Sequence, residues 1–203
     1  MQSNLARVEM NKLTRDDLMT LEDYSKQRQD FRAKVLDHKK PRKIALGENA
    51  TLYFEDRLTM QYQIQEMLRV ERIFEEEGIK EELDAYNPLI PDGQNLKATF
   101  MIEFPDVNER KTALEKMIGI EDKVWIEVDG HDRVYAIADE DLDRETDEKT
   151  SSVHFMRFEF DADMIKSAKQ GASIAMGIDH EAYKQHIAAI PESSRKSLVA
   201  DFD

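Results

Sequence analysis

The sequence contains no cysteine, which removes disulfides, thiolate zinc sites, cysteine-ligated iron–sulfur clusters and cysteine nucleophiles together. Glycine and proline are scarce, with seven and five residues among 203. No glycine-rich phosphate loop, dinucleotide fingerprint or Gly-x-Ser-x-Gly elbow is present, so nucleotide-loop enzymes and ordinary serine hydrolases lose support. No apolar run is long enough to span a bilayer, and the N-terminus lacks the apolar core of a secretion signal, so no membrane partner and a cytoplasmic location are expected. Glu-x-x-His and His-Glu-x-x-His are absent as well, which counts against carboxylate-bridged di-iron and zincin chemistry. What is there is charge: 35% of residues are ionic, and 43 acids against 29 bases give a net charge of −14. A field of that sign repels phosphate backbones, so nucleic acid is not expected as a partner.

The hydrophobic pattern predicts an α+β fold. A short helix is expected to open at Thr14 and Asp17, and a second, capped by Ser25, to run to about Lys40, where Pro41 stops it. Short strands at 42–46 and 50–54 flank the turn residues Gly47 and Asn49. A long central helix is expected over 55–77, uninterrupted by proline or glycine and ended by Gly78. A loop over 84–95 follows. The alternation Leu96, Ala98, Phe100, Ile102, Phe104 predicts a strand, then a helix to Gly119, a hairpin of 123–128 with 133–138, an acidic helix over 139–148 and a strand over 151–160. That order, βαββαβ, suggests a mostly antiparallel sheet with helices packed on it. Beyond it a helix to Gly171, an edge strand at 172–176 and terminal helices at 181–189 and 191–202 are expected. The organisation expected is one domain over 1–203, with a helical part and short hairpin at 13–78, an α+β part at 96–178 and C-terminal helices at 180–203.

The long helix carries the first candidate site. Apolar residues fall on nearly every side of it, and Gln61, Gln65, Arg69 and Arg72 form its main polar arc. Gln63, Glu66 and Glu71 then lie inside apolar sectors, where an unpartnered carboxylate is costly. Three readings are open: an internal salt-bridge network drawing on Arg57, Arg69 or Arg72, a ligand or partner site, and a metal site. Glu66 and Glu71 are five apart, so they do not share a helical face. His154 is the second candidate, because the strand pattern puts it beside Met156, Phe158 and Phe160; a hydrogen-bonded core histidine competes there with a ligand. His131, His180, His186 and His38 have ordinary turn or helix-end explanations.

The third candidate is a surface. Residues 26–43 hold eight bases and two acids, a local balance of +6 opposite in sign to the acidic runs at 75–84 and 139–148. Arg32, Lys39, Lys40 and Arg42 are the cations expected to receive an acidic protein partner. A solvated basic helix beside acidic neighbours is the competing reading, and a homo-oligomer stays open.

Several stretches resemble a bacterial family catalogued as domain of unknown function 3501. They are residues 45–57 (ALGENATLYFEDR), 60–72 (MQYQIQEMLRVER), 86–93 (YNPLIPDG), 119–125 (GIEDKVW) and 149–155 (KTSSVHF). The similarity runs from about Lys12 to Ala200. The resemblance carries no established activity, cofactor or functional residue. It implies a bacterial protein encoded near rubrerythrin-like and heterodisulfide-reductase-type iron–sulfur proteins, hence an accessory role beside a redox or peroxide-defence system. A chain without cysteine would contribute binding there rather than a thiolate-ligated cluster. Two functions follow: a non-catalytic binding protein with an acidic or redox partner, and a small-molecule or metal-dependent enzyme built on Glu66, Glu71 and His154.

Overall fold

Helix α1 (Leu21–Lys39) begins where Thr20 accepts a hydrogen bond from the Asp23 N–H, the capping that a threonine followed by an acid three residues later provides. In the computed structural model, which describes residues 11–142, 144, 146 and 148–203, this cap overtakes the expected start at Ser25. Among the described residues, a 3₁₀ turn, Arg15–Asp17, stands before it where the short helix was expected. The chain forms two compact units: Met1–Lys40 with Glu55–Gly93, and Pro41–Phe54 with Gln94–Asp203. The hairpin grouped with the helices by sequence therefore belongs to the second unit.

In the first unit α2 (Arg57–Glu71) is opened by a reciprocal box in which Asp56 accepts from the Thr59 N–H and Thr59 accepts from the Asp56 N–H. It does not reach Glu77. Arg72 adopts φ +56°, and the Ile73 N–H turns back to the Leu68 carbonyl at 3.0 Å, the six-to-one bond that ends a helix in a left-handed residue. A separate helix α3 (Glu76–Tyr86) follows. Gly78, expected as the stop, lies inside α3, and a Cβ there would come within 2.7 Å of Ile73 Cγ2. Its lack of a side chain allows close packing rather than termination. The unit's core joins Leu13 and Leu18 to Met60, Ile64 and Leu68 of α2 and to Ile79 and Leu83 of α3.

Among the described residues the second unit holds two antiparallel sheets and three α-helices, an α+β fold. One sheet is ordered β1-β2-β3-β7-β6, from β1 (Lys43–Ala45), β2 (Ala50–Glu55), β3 (Asn95–Ile102), β6 (Ile137–Ala138) and β7 (Val153–Glu159). The other, ordered β5-β4-β8-β9, takes β4 (Val124–Val128), β5 (Val134–Tyr135), β8 (Ile174–His180) and β9 (Tyr183–Ile187). Strands 96–160 are thus divided between two sheets instead of forming one βαββαβ layer, and the chain passes between them at Ala136, whose N–H bonds the Val124 carbonyl. Helices α4 (Val107–Lys116), α5 (Ala162–Lys169) and α6 (Glu192–Val199) complete the unit. Leu114, Ile165, Ala168 and Leu198 from these helices pack with Phe100, Phe158, Ile126 and Met176 from both sheets.

Three further expectations change. The described residues of 139–148 form no helix, because Asp139 is turned to φ +51° and spends its side chain on β7. Residues 174–180 form an interior strand, not an edge, and 183–187 form a strand where a helix was expected. Tyr183, Gln185 and Ile187 are half-buried while Lys184 and His186 are exposed, a period of two that suits a strand laid on one face.

Candidate functional site

Glu66 faces α1 across the first unit. Its Oε1 accepts from Tyr24 Oη at 2.6 Å and from Arg28 Nε at 2.7 Å, and its Oε2 accepts from Arg28 Nη2 at 2.9 Å. Arg69, one turn along α2, adds Nε and Nη2 contacts at 3.3 and 3.1 Å. The hydrogen-bonded Arg28 guanidinium, against a smaller opposing effect of burial, holds the carboxyl at about 2. Burial, followed by the adjoining carboxylate, pushes the Tyr24 hydroxyl well above the ordinary phenol range. Five donor contacts fill both oxygens, leaving little acceptor capacity for a metal or a substrate. Glu71 is exposed at the end of α2, Gln63 is half-buried and Arg72 is the exposed left-handed cap. The structure therefore brings Glu66 and Arg69 together with Tyr24 and Arg28, and brings neither Gln63, Glu71 nor Arg72 to them.

Gln65 is the polar residue of this helix that pattern reading misplaced. It lies fully buried rather than on the polar arc, with Oε1 accepting from the Met19 N–H at 2.6 Å and Nε2 donating to the Met19 carbonyl at 3.4 Å. The side chain substitutes for a backbone partner in the segment before α1, and no local signal announces that.

His154 lies on β7 opposite Phe100 and is fully buried. Nδ1 sits 2.6 Å from Asp139 Oδ2, and Nε2 sits 3.0 Å from Thr150 Oγ1 and 3.1 Å from the Ser151 carbonyl. Thr150 Oγ1 donates in turn to Glu121 Oε2 at 3.2 Å, and that carboxylate lies 3.8 Å from the ring. Both ring nitrogens are thus taken up by protein groups, a carboxylate at one and a hydroxyl and a carbonyl at the other. Asp139 Oδ1 accepts from the Phe155 N–H and from Arg144 Nη1, each at 3.1 Å. Asp139, His154 and Thr150 line up as in a nucleophile relay, but Thr150 is 1% exposed and its hydroxyl proton is given to Glu121. The cluster ties residues 139 and 150, at the two ends of the acidic segment, to one side chain.

The basic segment divides. Arg42, expected among the surface cations, is 2% exposed, and its burial removes it from any docking face. Its Nη2 pairs with Asp201 Oδ2 at 2.5 Å, and Nε and Nη1 donate to the Phe54 and Ser197 carbonyls, so it fastens the chain after α6. Arg28 is committed to Glu66. On α1 and its C-terminal cap, by contrast, Arg32, Leu36, Lys39 and Lys40 follow one another at i, i+4, i+7 and i+8, a single stripe of the helix. Arg32 and Lys40 are exposed, Lys39 is partly so, and Leu36 is 43% exposed. Lys40 meets Asp37 at 2.8 Å in an exposed pair, an interaction of little strength in water.

Among the described residues no group of three His, Asp or Glu side chains is placed to hold a metal ion, and no helix is long and apolar enough to cross a membrane.

No curated protein matches the chain at a significant level. Among solved structures, a crystal structure described as a novel protein of unknown function from Burkholderia pseudomallei K96243 is similar at 50% identity with a TM-score of 0.90, covering 95% of this chain and 100% of that one. The family described as "Protein of unknown function (DUF3501)" matches residues 12–202. With nearly its whole length matched, and a half-identical relative of the same fold, this chain belongs to the DUF3501 family.

Proposed function

We propose that the protein is a non-catalytic binding protein of the bacterial cytoplasm whose α1 stripe receives an acidic protein partner. The observation that carries this reading is the grouping of Arg32, Lys39 and Lys40 around the exposed Leu36, where the one acid met is Asp37 in its exposed pair with Lys40. Three cations around one apolar side chain suit an amphipathic acidic segment: the charges steer the encounter, and the leucine supplies area to desolvate. The gene context that accompanies resemblance to the family makes neighbouring redox proteins the first partners to try. An enzyme centred on Glu66, Glu71 and His154 draws no support from the geometry. Glu66 is taken up by Tyr24, Arg28 and Arg69, His154 is sealed from solvent, and Glu71 is exposed, away from Glu66.

The test is a titration against those redox proteins at low and high salt. The proposal expects saturable binding that weakens steeply with ionic strength and is lost when Arg32, Lys39 and Lys40 are changed together to Glu. Binding unaffected by that triple reversal, or no association at low salt, overturns it.

A further inference from the structure

A cleft of about 900 Å³ lies in the second unit between the corner after α4 and the β8–β9 turn. Its two walls are fixed to each other by His180, whose Nε2 donates to the Ile118 carbonyl at 2.9 Å while Nδ1 accepts from the Ala182 N–H at 3.2 Å. Four charged residues line it without an ion pair among the described residues: Lys116, Lys123, Asp122 and Glu181. Asp179, also on the wall, is already held by Arg133 at 2.7 Å. Beside this charged chamber, and sharing Lys116 and Ala182 with it, is a second, mostly apolar opening of about 540 Å³, lined by Phe104, Ala113 and Met117 with Asn108, Glu109 and Thr112.

We infer that the cleft binds a short zwitterionic peptide carrying an apolar side chain. The argument rests on three features acting together. Free charges of both signs converge on one opening, which suits a ligand that itself carries an ammonium and a carboxylate. An apolar chamber adjoins the charged one, which suits a side chain projecting from the same ligand. Each opening alone falls in the range of small-ligand sites and exceeds a single amino acid, so two or three residues fill the adjoining pair better than one. Lys116, which lines both chambers, stands where the peptide carboxylate and the neighbouring side chain part. Lys123 supports the carboxylate, and Asp122 with Glu181 receives the ammonium. This inference is independent of the α1 stripe, which lies in the other unit.

The experiment is a calorimetric titration of the full chain with trileucine, N-acetyl-trileucine, trileucine amide and triglycine, with NMR shift mapping of the site. Trileucine is expected to saturate, with affinity about tenfold weaker for each blocked peptide, the effect of losing one charge-assisted contact, and about tenfold or more weaker for triglycine, which loses the apolar side chains. Lys123→Gln is expected to abolish the preference for the free carboxylate, and Glu181→Gln the preference for the free ammonium; both residues are exposed, and unchanged thermal melts show that the fold is intact. Failure of trileucine to saturate at millimolar concentration overturns the inference. So does equal binding of the blocked peptides, discrimination that survives both substitutions, or tighter binding of decanoate than of trileucine, which would make the cleft an anion site.

Discussion

Arg28 grips Glu66 through two parallel contacts, Nε to Oε1 at 2.7 Å and Nη2 to Oε2 at 2.9 Å. This fork fixes α1 against α2, and it converts the one carboxylate that pattern reading singled out on the central helix into a structural element. Glu66→Gln is expected to lower stability by about 1–2 kcal/mol, a charge-assisted pair discounted for the partly solvent-exposed Arg28. Urea unfolding at neutral pH measures it, and a stability equal to or above that of the parent would contradict the assignment.

The same carboxylate predicts an acid limb. Its folded value, about 2, lies below the ordinary 4.5, so the unfolded chain takes up the proton first as pH falls. The stabilisation is complete above the unfolded value, declines as pH drops below it, and is gone once pH passes below about 2. Unfolding free energies compared across that window should fall less steeply for Glu66→Gln than for the parent. Parallel curves would assign the acid limb to other carboxylates.

The buried contacts of His154 predict an asymmetry between its partners. Asp139→Ala removes the nearer carboxylate and leaves His154 Nδ1, the Phe155 N–H and the largely buried Arg144 guanidinium without it, at a cost of about 3–5 kcal/mol. Thr150→Val removes only a neutral hydroxyl and should cost about 1–2 kcal/mol. Chemical denaturation of the two variants checks the order, and NMR of the labelled imidazole reports directly whether both ring nitrogens carry protons.

Gly47 and Gly177, like Gly78, are held by close approach. At Gly47, with φ +81°, a Cβ would lie 2.6 Å from Tyr183 Oη, the hydroxyl that donates to the Leu46 carbonyl and accepts from the Asn49 N–H. At Gly177 it would lie 2.4 Å from Trp125 Cζ2 and 2.6 Å from the Gln185 carbonyl oxygen. Either Gly→Ala change is expected to cost about 2–4 kcal/mol, strain and overpacking combined. Gly177→Ala should also shift the fluorescence of Trp125, the one tryptophan in the chain. Gly130→Ala is the contrast: φ is +84° but nothing lies within 4 Å of the new Cβ, so only about 1 kcal/mol of backbone strain is expected.

How far the sequence carries is seen element by element. The alternation of Leu96, Ala98, Phe100 and Ile102 and that of His154, Met156 and Phe158 are strict, and the buried faces of β3 and β7 follow from them directly. The charged pattern of 139–148 reads as a helix because propensity is local, whereas Asp139 is committed to His154 and the Phe155 N–H, partners 15 and 16 residues away. Arg42 looks like one more cation in a basic run. Its counter-ion Asp201 is 159 residues distant, so only the folded chain could set it apart from Arg32. The end of α2 at Arg72 is likewise set by Ile73 packing into the core beside Gly78, not by a local stop signal.

The most direct test of the binding account is a charge exchange across the α1 stripe. The chain with Arg32→Glu, Lys39→Glu and Lys40→Glu should lose its acidic partner, and a partner whose facing acids are replaced by lysine should bind that variant again while binding the parent poorly. Restored affinity in the doubly exchanged pair, measured by titration at one ionic strength, is the predicted result. Equal affinity of the original partner for parent and triple variant would contradict the account.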